Sequence, residues 1–482
     1  MSEMKPNVSD ISLPVAVLGA GPVGLAAAAH LVERGFTPLI FEASDDVAGN
    51  LASYRHVRLF SPWRYNIDKA ARKLLAKAGW ASPAADELPT AGEIIDRYLR
   101  PLSALPELAG HLKLGHRITH VSRLGFDKVK TRGREHAPFL LRAQTRDGER
   151  EYFAEAVIDA TGTWSHPNPL GANGIDAIGE PDHAARIVHG MPDVLGADRH
   201  RYAGRRVLVV GSGHSAAGAL LALAQLAEEV PGTSLVWAVR GATVDKTFGG
   251  GSADGLPARG TLGARLKALQ ASGALEIHTR FRIHALDIDG DTLRVTGEEA
   301  GGARPLIEGV DQIVAATGAR PDLALTRELR VRHDPWLEST DALAPLIDPN
   351  EHSCGTVRPH GHRELAHPES GYYAVGAKSY GRAPNFLMVT GYEQVRSVVA
   401  ALAGDLAQAD DVQLELPETG VCGTRQAFGA EAAPASCCGG PAPAGSAACC
   451  VQDAQAKAEG KPGCGCGGPA PAQVPKAKSC CA

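Results

Sequence analysis

One local pattern occurs twice in this chain and limits most of what it can fold into. Pro14-Val15-Ala16-Val17-Leu18 is a short apolar run, long enough for one buried parallel strand. A glycine-rich turn, Gly19-Ala20-Gly21-Pro22-Val23-Gly24, follows it. The alanine-rich stretch Leu25 to Arg34 then predicts a helix ending at Gly35, and Pro38-Leu39-Ile40-Phe41 predicts a second strand closing on Glu42. The same order returns at Arg206–Val210, Gly211–Ala216, a helix to about Glu229, and Leu235–Val239. Strand, glycine turn, helix, strand, written twice, predicts an α/β fold with two Rossmann-like halves.

The glycines carry chemistry as well as shape. In G-x-G-x-x-G the first glycine allows the tight turn, and the second lets a pyrophosphate approach the backbone. The third lets helix and strand pack closely, with the helix N-terminus facing the phosphates. Such a pattern alone also marks ordinary turns. Here Gly19, Gly21 and Gly24 follow a strand, open a helix and precede Glu42, whose carboxylate suits a ribose hydroxyl pair. The second turn, Gly211-Ser212-Gly213-His214-Ser215-Ala216, is the variant ending in alanine, and its next strand closes on Arg240. A guanidinium binds a 2′-phosphate bidentately where a carboxylate would repel it, so the second half is expected to prefer NADPH over NADH. A solvated arginine at a strand end is the alternative. His214 reads more readily as an incidental residue at a helix start than as a phosphate donor.

Asp159-Ala160-Thr161-Gly162 and Ala315-Ala316-Thr317-Gly318 each end an apolar run. They resemble strands returning beneath a nucleotide, and they flank the second glycine turn, where the chain would leave one half and re-enter it.

Composition narrows the class. Hydrophobic residues at 44% and charged residues at 21% are globular values, and a net charge of −5 leaves no nucleic-acid footprint. No apolar run reaches bilayer length, so no membrane partner is expected, and Met1–Asp10 lacks the apolar stretch of a secretory signal. A cytoplasmic protein is expected. Eight of the ten cysteines lie beyond Ala435, in a segment of Ala, Pro, Gly, Lys and Cys with little to bury, which argues for reduced thiols on a disordered tail rather than a disulfide framework.

Together these motifs, covering roughly Leu13 to Leu416, resemble the class B flavin monooxygenases. The resemblance implies FAD on Gly19, Gly21, Gly24, Glu42, Thr161 and Gly162, with Gly376 as a further flavin contact. It implies NADPH on Gly211, Gly213, Ser215 and Arg240. The block Leu59-Phe60-Ser61-Pro62-Trp63-Arg64-Tyr65-Asn66 falls where such proteins pass the flavin ring. Gly381-Arg382-Ala383-Pro384-Asn385-Phe386 and the paired tail cysteines are similar to flavoproteins of bacterial arsenic-resistance clusters. Two departures narrow the chemistry. No phenylalanine occurs between Phe153 and Phe248, so the Baeyer–Villiger fingerprint is missing, and no Cys-x-x-Cys is present for an internal dithiol relay.

The expected reaction is that of an NADPH-dependent monooxygenase, with molecular oxygen as co-substrate. Its small-molecule substrate would be a soft nucleophile bearing sulfur, nitrogen or trivalent arsenic. Arg64, Asn66 and Lys378 are the candidates for donors to flavin or substrate, while His360 reads as a loop histidine. Reduction of an external disulfide or metal species is the second reading, and a metalloid-binding flavoprotein without oxygenation the third. In the tail, Cys437-Cys438, Cys449-Cys450, Cys464-Gly465-Cys466 and Cys480-Cys481 are spaced to wrap a thiophilic metal or metalloid ion. Zinc is disfavoured, because its structural sites use wider spacing on ordered knuckles. The expected domains are 1–163 (FAD, first part), 164–318 (NADPH), 319–420 (FAD, second part) and 421–482 (flexible Cys-rich tail).

Overall fold

The computed structural model describes residues 13–249, 257–299, 304–352 and 357–414, all within the first of the chain's two compact units, Met1–Thr424. The candidate tail ligands Cys437, Cys438, Cys449, Cys450, Cys464, Cys466, Cys480 and Cys481 lie outside the described residues, as do Cys354 and Cys422.

The apolar runs form strands because their side chains are shielded on both faces. In the first half these are β1 (Val15–Leu18), β2 (Pro38–Phe41), β3 (Leu112–Lys113) and β4 (Ala156–Asp159). The second half supplies β5 (Ile187–His189), β6 (Arg206–Val210), β7 (Ser234–Ala238), β8 (Leu275–His278) and β9 (Gln312–Ala315). The chain then returns to add β10 (Tyr372–Ala374). Among the described residues, β10-β4-β1-β2-β3 make one five-stranded parallel sheet and β8-β7-β6-β9-β5 a second. Val15 pairs with Pro38 on one side and Ala156 on the other, and Val207 sits between Leu235 and Gln312 in the same way.

Each sheet is covered alike. Helices pack on one face, and a three-stranded antiparallel sheet packs on the other. In the first half α1 (Pro22–Glu33) lies beside the helix Met388–Leu402 in one core, and strands 117–123, 139–145 and 148–154 bury Phe139 and Leu141 on the opposite face. In the second, α2 (His214–Glu229) and the helix Pro257–Ala271 share one core. Strands 283–289, 292–297 and 306–310 build the other. α1 starts three residues before the sequence-based expectation because Pro22, with φ preset and no N–H to satisfy, suits its first position. It stops where Phe36 N bonds Leu31 O and Gly35 N bonds Val32 O, a glycine-terminated helix end. Among the described residues no helix is long and apolar enough to cross a membrane.

The two segments that cross between the halves run side by side. Pro167 bridges Ala319, Asn168 N donates to Gly318 O at 2.9 Å, and Arg320 N donates to His166 O at 2.9 Å.

Buried charge joins distant parts of the first half. Glu369, 4% exposed, accepts from Arg123 Nε and Arg134 Nη2 at 2.8 Å each and from Arg330 N at 2.9 Å. Arg123 also lies over the Phe139 ring, 3.6 Å from its centre. Burial pushes the Glu369 carboxyl up, but its hydrogen bonds to Arg134, Arg330 N and Arg123 outweigh that and hold it below its usual range. Its contribution is therefore present above the ordinary carboxylate pKa and fades as pH falls below it. Glu369→Ala leaves two buried guanidiniums uncompensated and should lower unfolding free energy by about 3–5 kcal/mol at neutral pH. Urea denaturation at pH 7 and at pH 4 checks this, with the gap between the two proteins shrinking at the lower pH. A loss under about 1 kcal/mol at pH 7 would show the triad to be weakly coupled to the fold.

Candidate active site

At the first glycine turn the three glycines play separate roles. Gly19 has φ +95°, and a Cβ there would lie 2.8 Å from the Ala160 carbonyl oxygen at the end of β4. A Cβ at Gly24 would collide with the Gly19 carbonyl, so helix and strand meet there backbone to backbone. Gly21 faces open space, with no atom within 4 Å of where its Cβ would be. The turn thus leaves bare backbone at the helix mouth, which fits a pyrophosphate. Glu42, 9% exposed, is oriented by the same turn: Oε2 accepts from Ala20 N and Oε1 from Ser44 N, both at 3.0 Å. Each oxygen keeps acceptor capacity for a hydroxyl.

The second turn repeats the arrangement. Gly211 has φ +129°, and a Cβ there would strike the Ala316 carbonyl at the end of β9. Gly213 is open, Ser215 sits in the first turn of α2, and Ala216 is fully buried where the first turn has Gly24. The buried Trp237 donates from Nε1 to Gly211 O at 2.7 Å, a support that sequence reasoning missed because a core tryptophan shows no partner in sequence. Arg240 is exposed beyond β7, and its Nη1 donates to Ala172 O at 3.4 Å.

Both Ala-Thr-Gly corners are pinned by an asparagine amide that the sequence did not single out. Asn50 Nδ2 donates to Thr161 O at 3.4 Å, and Asn168 Nδ2 donates to Thr317 O at 3.1 Å. At the first corner Asp159 is fully buried and accepts from Thr161 N, Thr161 Oγ1 and the Tyr372 hydroxyl at 3.1, 2.6 and 3.0 Å. Lys378 Nζ lies 3.2 Å from Asp159 Oδ2 and donates to Thr161 Oγ1 and Asp322 O. Burial pushes the Asp159 carboxyl up, but the Lys378 charge and the Thr161 donors hold it below the usual range.

The first turn, Glu42 and the Thr161 corner line one cleft of about 590 Å³; of the second turn His214 lines it, while Gly211, Gly213, Ser215 and Arg240 do not. Gly21, Glu42, Thr161, Gly162 and Gly376 of the first half and His214 of the second all line it. The Phe60 and His214 rings meet edge to face across it, centroids 5.4 Å apart. Leu59, Phe386 and Met388 give it apolar walls. Gly376 is held by its N–H on Gln394 Oε1 at 2.7 Å, and Gln394 Nε2 also contacts His360 Nε2 at 2.9 Å. His360 is 4% exposed, and its Nδ1 meets Arg358 O at 2.9 Å. Burial keeps the ring's pKa below the usual histidine value. His360 is a packed support for the Gly376 turn, and among the described residues no group of three or more His, Cys, Asp or Glu could hold a metal.

The three candidate donors fare differently from expectation. Asn66 lines the cleft and is 1% exposed, but both its amide protons are committed, to Ser61 O at 2.7 Å and Pro62 O at 2.9 Å. With both protons engaged, its side chain has an acceptor oxygen left to offer rather than a donor. Arg64 does not line the cleft. Its guanidinium pairs with Asp86 and lies 5.0 Å from the Tyr65 ring centre, beside a separate cavity that also contains His30 and Asp68. Lys378 lies beneath the cleft in the ion pair with Asp159 and does not line it, so it supports the corner instead of facing a ligand.

A glycine turn, an acid after the second strand and a continuous cleft, met by a second glycine turn, define an oxidoreductase with two dinucleotide-binding folds. Residues 16–354 match the family described as pyridine nucleotide-disulphide oxidoreductase, and the chain belongs to that family. It is 28% identical over 207 residues to indole-3-pyruvate monooxygenase YUCCA6 of Arabidopsis thaliana, covering 41% of this chain and 42% of that protein. It is 24% identical over 221 residues to human flavin-containing monooxygenase 1, covering 45% of this chain and 39% of that one. The chain thus spans about two-fifths of the length of these relatives. Among solved structures, bacillithiol disulfide reductase of Bacillus cereus superposes with TM-score 0.61 at 19% identity, covering 82% of this chain and 99% of that one. The cadaverine monooxygenase DfoA of Erwinia amylovora gives 0.58 at 14% identity, covering 88% and 100%. At such identities these two likenesses speak to the fold.

The two open and closed glycines separate binding from folding. Gly21→Val projects its branch into free space, so the protein should fold normally yet purify without bound dinucleotide. Gly24→Ala should instead destabilise the fold, because the Gly19 carbonyl has no room to retreat. Thermal melting and cofactor released per chain on denaturation check the pair. A Gly21→Val protein carrying a full equivalent of cofactor would contradict the reading of the first turn.

Proposed function

We propose that this protein is an FAD- and NADPH-dependent monooxygenase, with residues 1–163 and 319–420 holding FAD and 164–318 holding NADPH. The observation that carries this is the continuity of one cleft from Gly21 and Glu42 to His214, across the boundary between the two halves. Gly19, Gly21 and Gly24 shape the FAD pyrophosphate cradle, Glu42 takes the ribose, and Thr161, Gly162 and Gly376 line the flavin side. Gly211, Gly213 and Ser215 present the second helix N-terminus to NADPH, and Arg240 reads its 2′-phosphate. The flavin supplies hydride acceptance and oxygen activation when bound. The chain's own part is to place the two dinucleotides against each other, to exclude water with Leu59, Phe386 and Met388, and to fix one acceptor oxygen, on Asn66, at the cleft wall.

Monooxygenases among the curated relatives favour oxygenation over disulfide reduction. The chain also brings no Cys-x-x-Cys to a flavin. A soft nucleophile bearing sulfur, nitrogen or trivalent arsenic is the proposed substrate. The paired tail cysteines, from Cys437 to Cys481, are proposed to capture thiophilic metal or metalloid, in keeping with the resemblance to flavoproteins of arsenic-resistance clusters. Two arms test this. Arsenite should accelerate NADPH oxidation in air, with oxygen consumed and arsenate formed, and turnover should stop under argon. NADPH oxidation under argon with an added disulfide as electron acceptor, and none driven by arsenite in air, would favour a reductase. Truncation after Thr424 should leave NADPH oxidation intact while weakening arsenite binding at least about tenfold, as expected when multidentate thiolate capture is lost. Equal calorimetric affinity in both proteins would remove the tail from the function.

A further inference from the structure

Arg240 stands two residues beyond the end of β7, and Arg280 stands two residues beyond the end of β8, the neighbouring strand. Both therefore lie at the carboxyl edge of the second sheet, where open α/β sheets bind their ligands. The backbone holds the two segments together. Val239 N donates to His278 O at 2.9 Å, Arg280 N donates to Gly241 O at 2.8 Å, and Phe281 N donates to Val239 O at 3.0 Å.

Among the described residues neither guanidinium has an ion-pair partner. Arg240 makes one long contact, to Ala172 O, and Arg280 is exposed with no side-chain hydrogen bond there. Nearby arginines of the same half behave otherwise: Arg206 pairs with Glu276 at 2.6 Å, Arg282 with Glu298 at 3.3 Å and Arg294 with Asp289 at 2.6 Å. No acidic residue occurs in Val239–Thr243 or His278–Arg282. Arg280 is also one of three non-glycine residues among those described with positive φ, at +54°. That left-handed conformation is one glycine adopts more readily. Among the described residues the turn thus carries a strained backbone and an unpaired charge at one position, beside a second unpaired charge.

We propose that Arg280 is a specificity-determining residue, the second arm of a two-arginine clamp on the 2′-phosphate of NADPH, with Arg240 as the first. A phosphate dianion takes two guanidinium forks from adjacent strands, each bidentate. The proposal rests on the reading of the second half as the NADPH site and adds the residue that the strand-end rule alone does not indicate.

Arg280→Gly is a clean variant, because it removes the guanidinium while relaxing the backbone. The flavin-loaded full-length protein is titrated calorimetrically with 2′,5′-ADP and with 5′-AMP, which differ only in the 2′-phosphate. In Arg280→Gly the affinity for 2′,5′-ADP should fall about ten- to a hundredfold, that for 5′-AMP should stay unchanged, and the melting temperature should not drop. Arg280→Lys, which keeps the charge but loses the fork, should fall in between. If wild type prefers 2′,5′-ADP and Arg280→Gly keeps that preference, Arg280 is not in the clamp and the NADPH reading stands. Equal losses for both ligands would likewise remove it from the clamp. If wild type itself binds both ligands equally, the NADPH reading fails and the clamp fails with it.

Discussion

A fully buried carboxylate holds the cleft in shape. Asp159 ends β4, and through it the strand end, the Thr161 corner and the returning strand β10 are tied to one another by hydrogen bonds from Thr161 and Tyr372. Lys378 closes the knot by donating to Thr161 Oγ1 and to Asp322 O, just past the second crossing segment. Desolvating such a pair costs several kcal/mol per ion, so it contributes through its geometry more than through net stability. Asp159 O also accepts from Val375 N at 2.9 Å, which ties the strand end to the residue just before the Gly376 turn. Were the pair loosened, the Thr161–Gly162 corner that lines the cleft would lose its floor.

The second half answers the first with the same parts in different chemistry. Each glycine turn presses against the carbonyl of an Ala-Thr-Gly corner, Ala160 in one and Ala316 in the other, and each corner is latched by an asparagine. Where the first half places Glu42 after its second strand, the other places Arg240. The two antiparallel crossing segments fix where one half faces the other, and the Phe60–His214 contact lies at that boundary. On the proposed assignment, a cleft lined by both halves would bring two dinucleotides within reach of each other, which a solitary nucleotide-binding fold does not provide.

The parts legible in the sequence are those whose physics is local. Glycine at a turn, an apolar run for a doubly buried strand and an acid or arginine at a strand end are each decided within a few residues. The parts that were not legible depend on partners far along the chain. Nothing around Lys378 marks it as the counter-ion of Asp159, so it looked like a donor to the ligand. Arg64 sits in a block that passes the cleft through Leu59, Phe60 and Ser61, yet the short helical turn Trp63–Tyr65 carries its side chain outward to Asp86. Asn66 lies at the cleft as its place in that block implies, but its hydrogen-bonding direction is set by the carbonyls of Ser61 and Pro62. The antiparallel sheets left no signal as plain as the glycine turns, because their alternating patterns are short and half-exposed.

The central claim is that one cleft brings two dinucleotides into direct contact for hydride transfer. Anaerobic rapid mixing of the purified yellow protein with NADPH tests it most directly. The account predicts that one flavin per chain is bleached without any mediator. Deuterium at one C4 position of NADPH should slow the bleaching, and deuterium at the other should not. A flavin that stays oxidised under excess NADPH, or a reduction rate indifferent to deuterium at both positions, would contradict it.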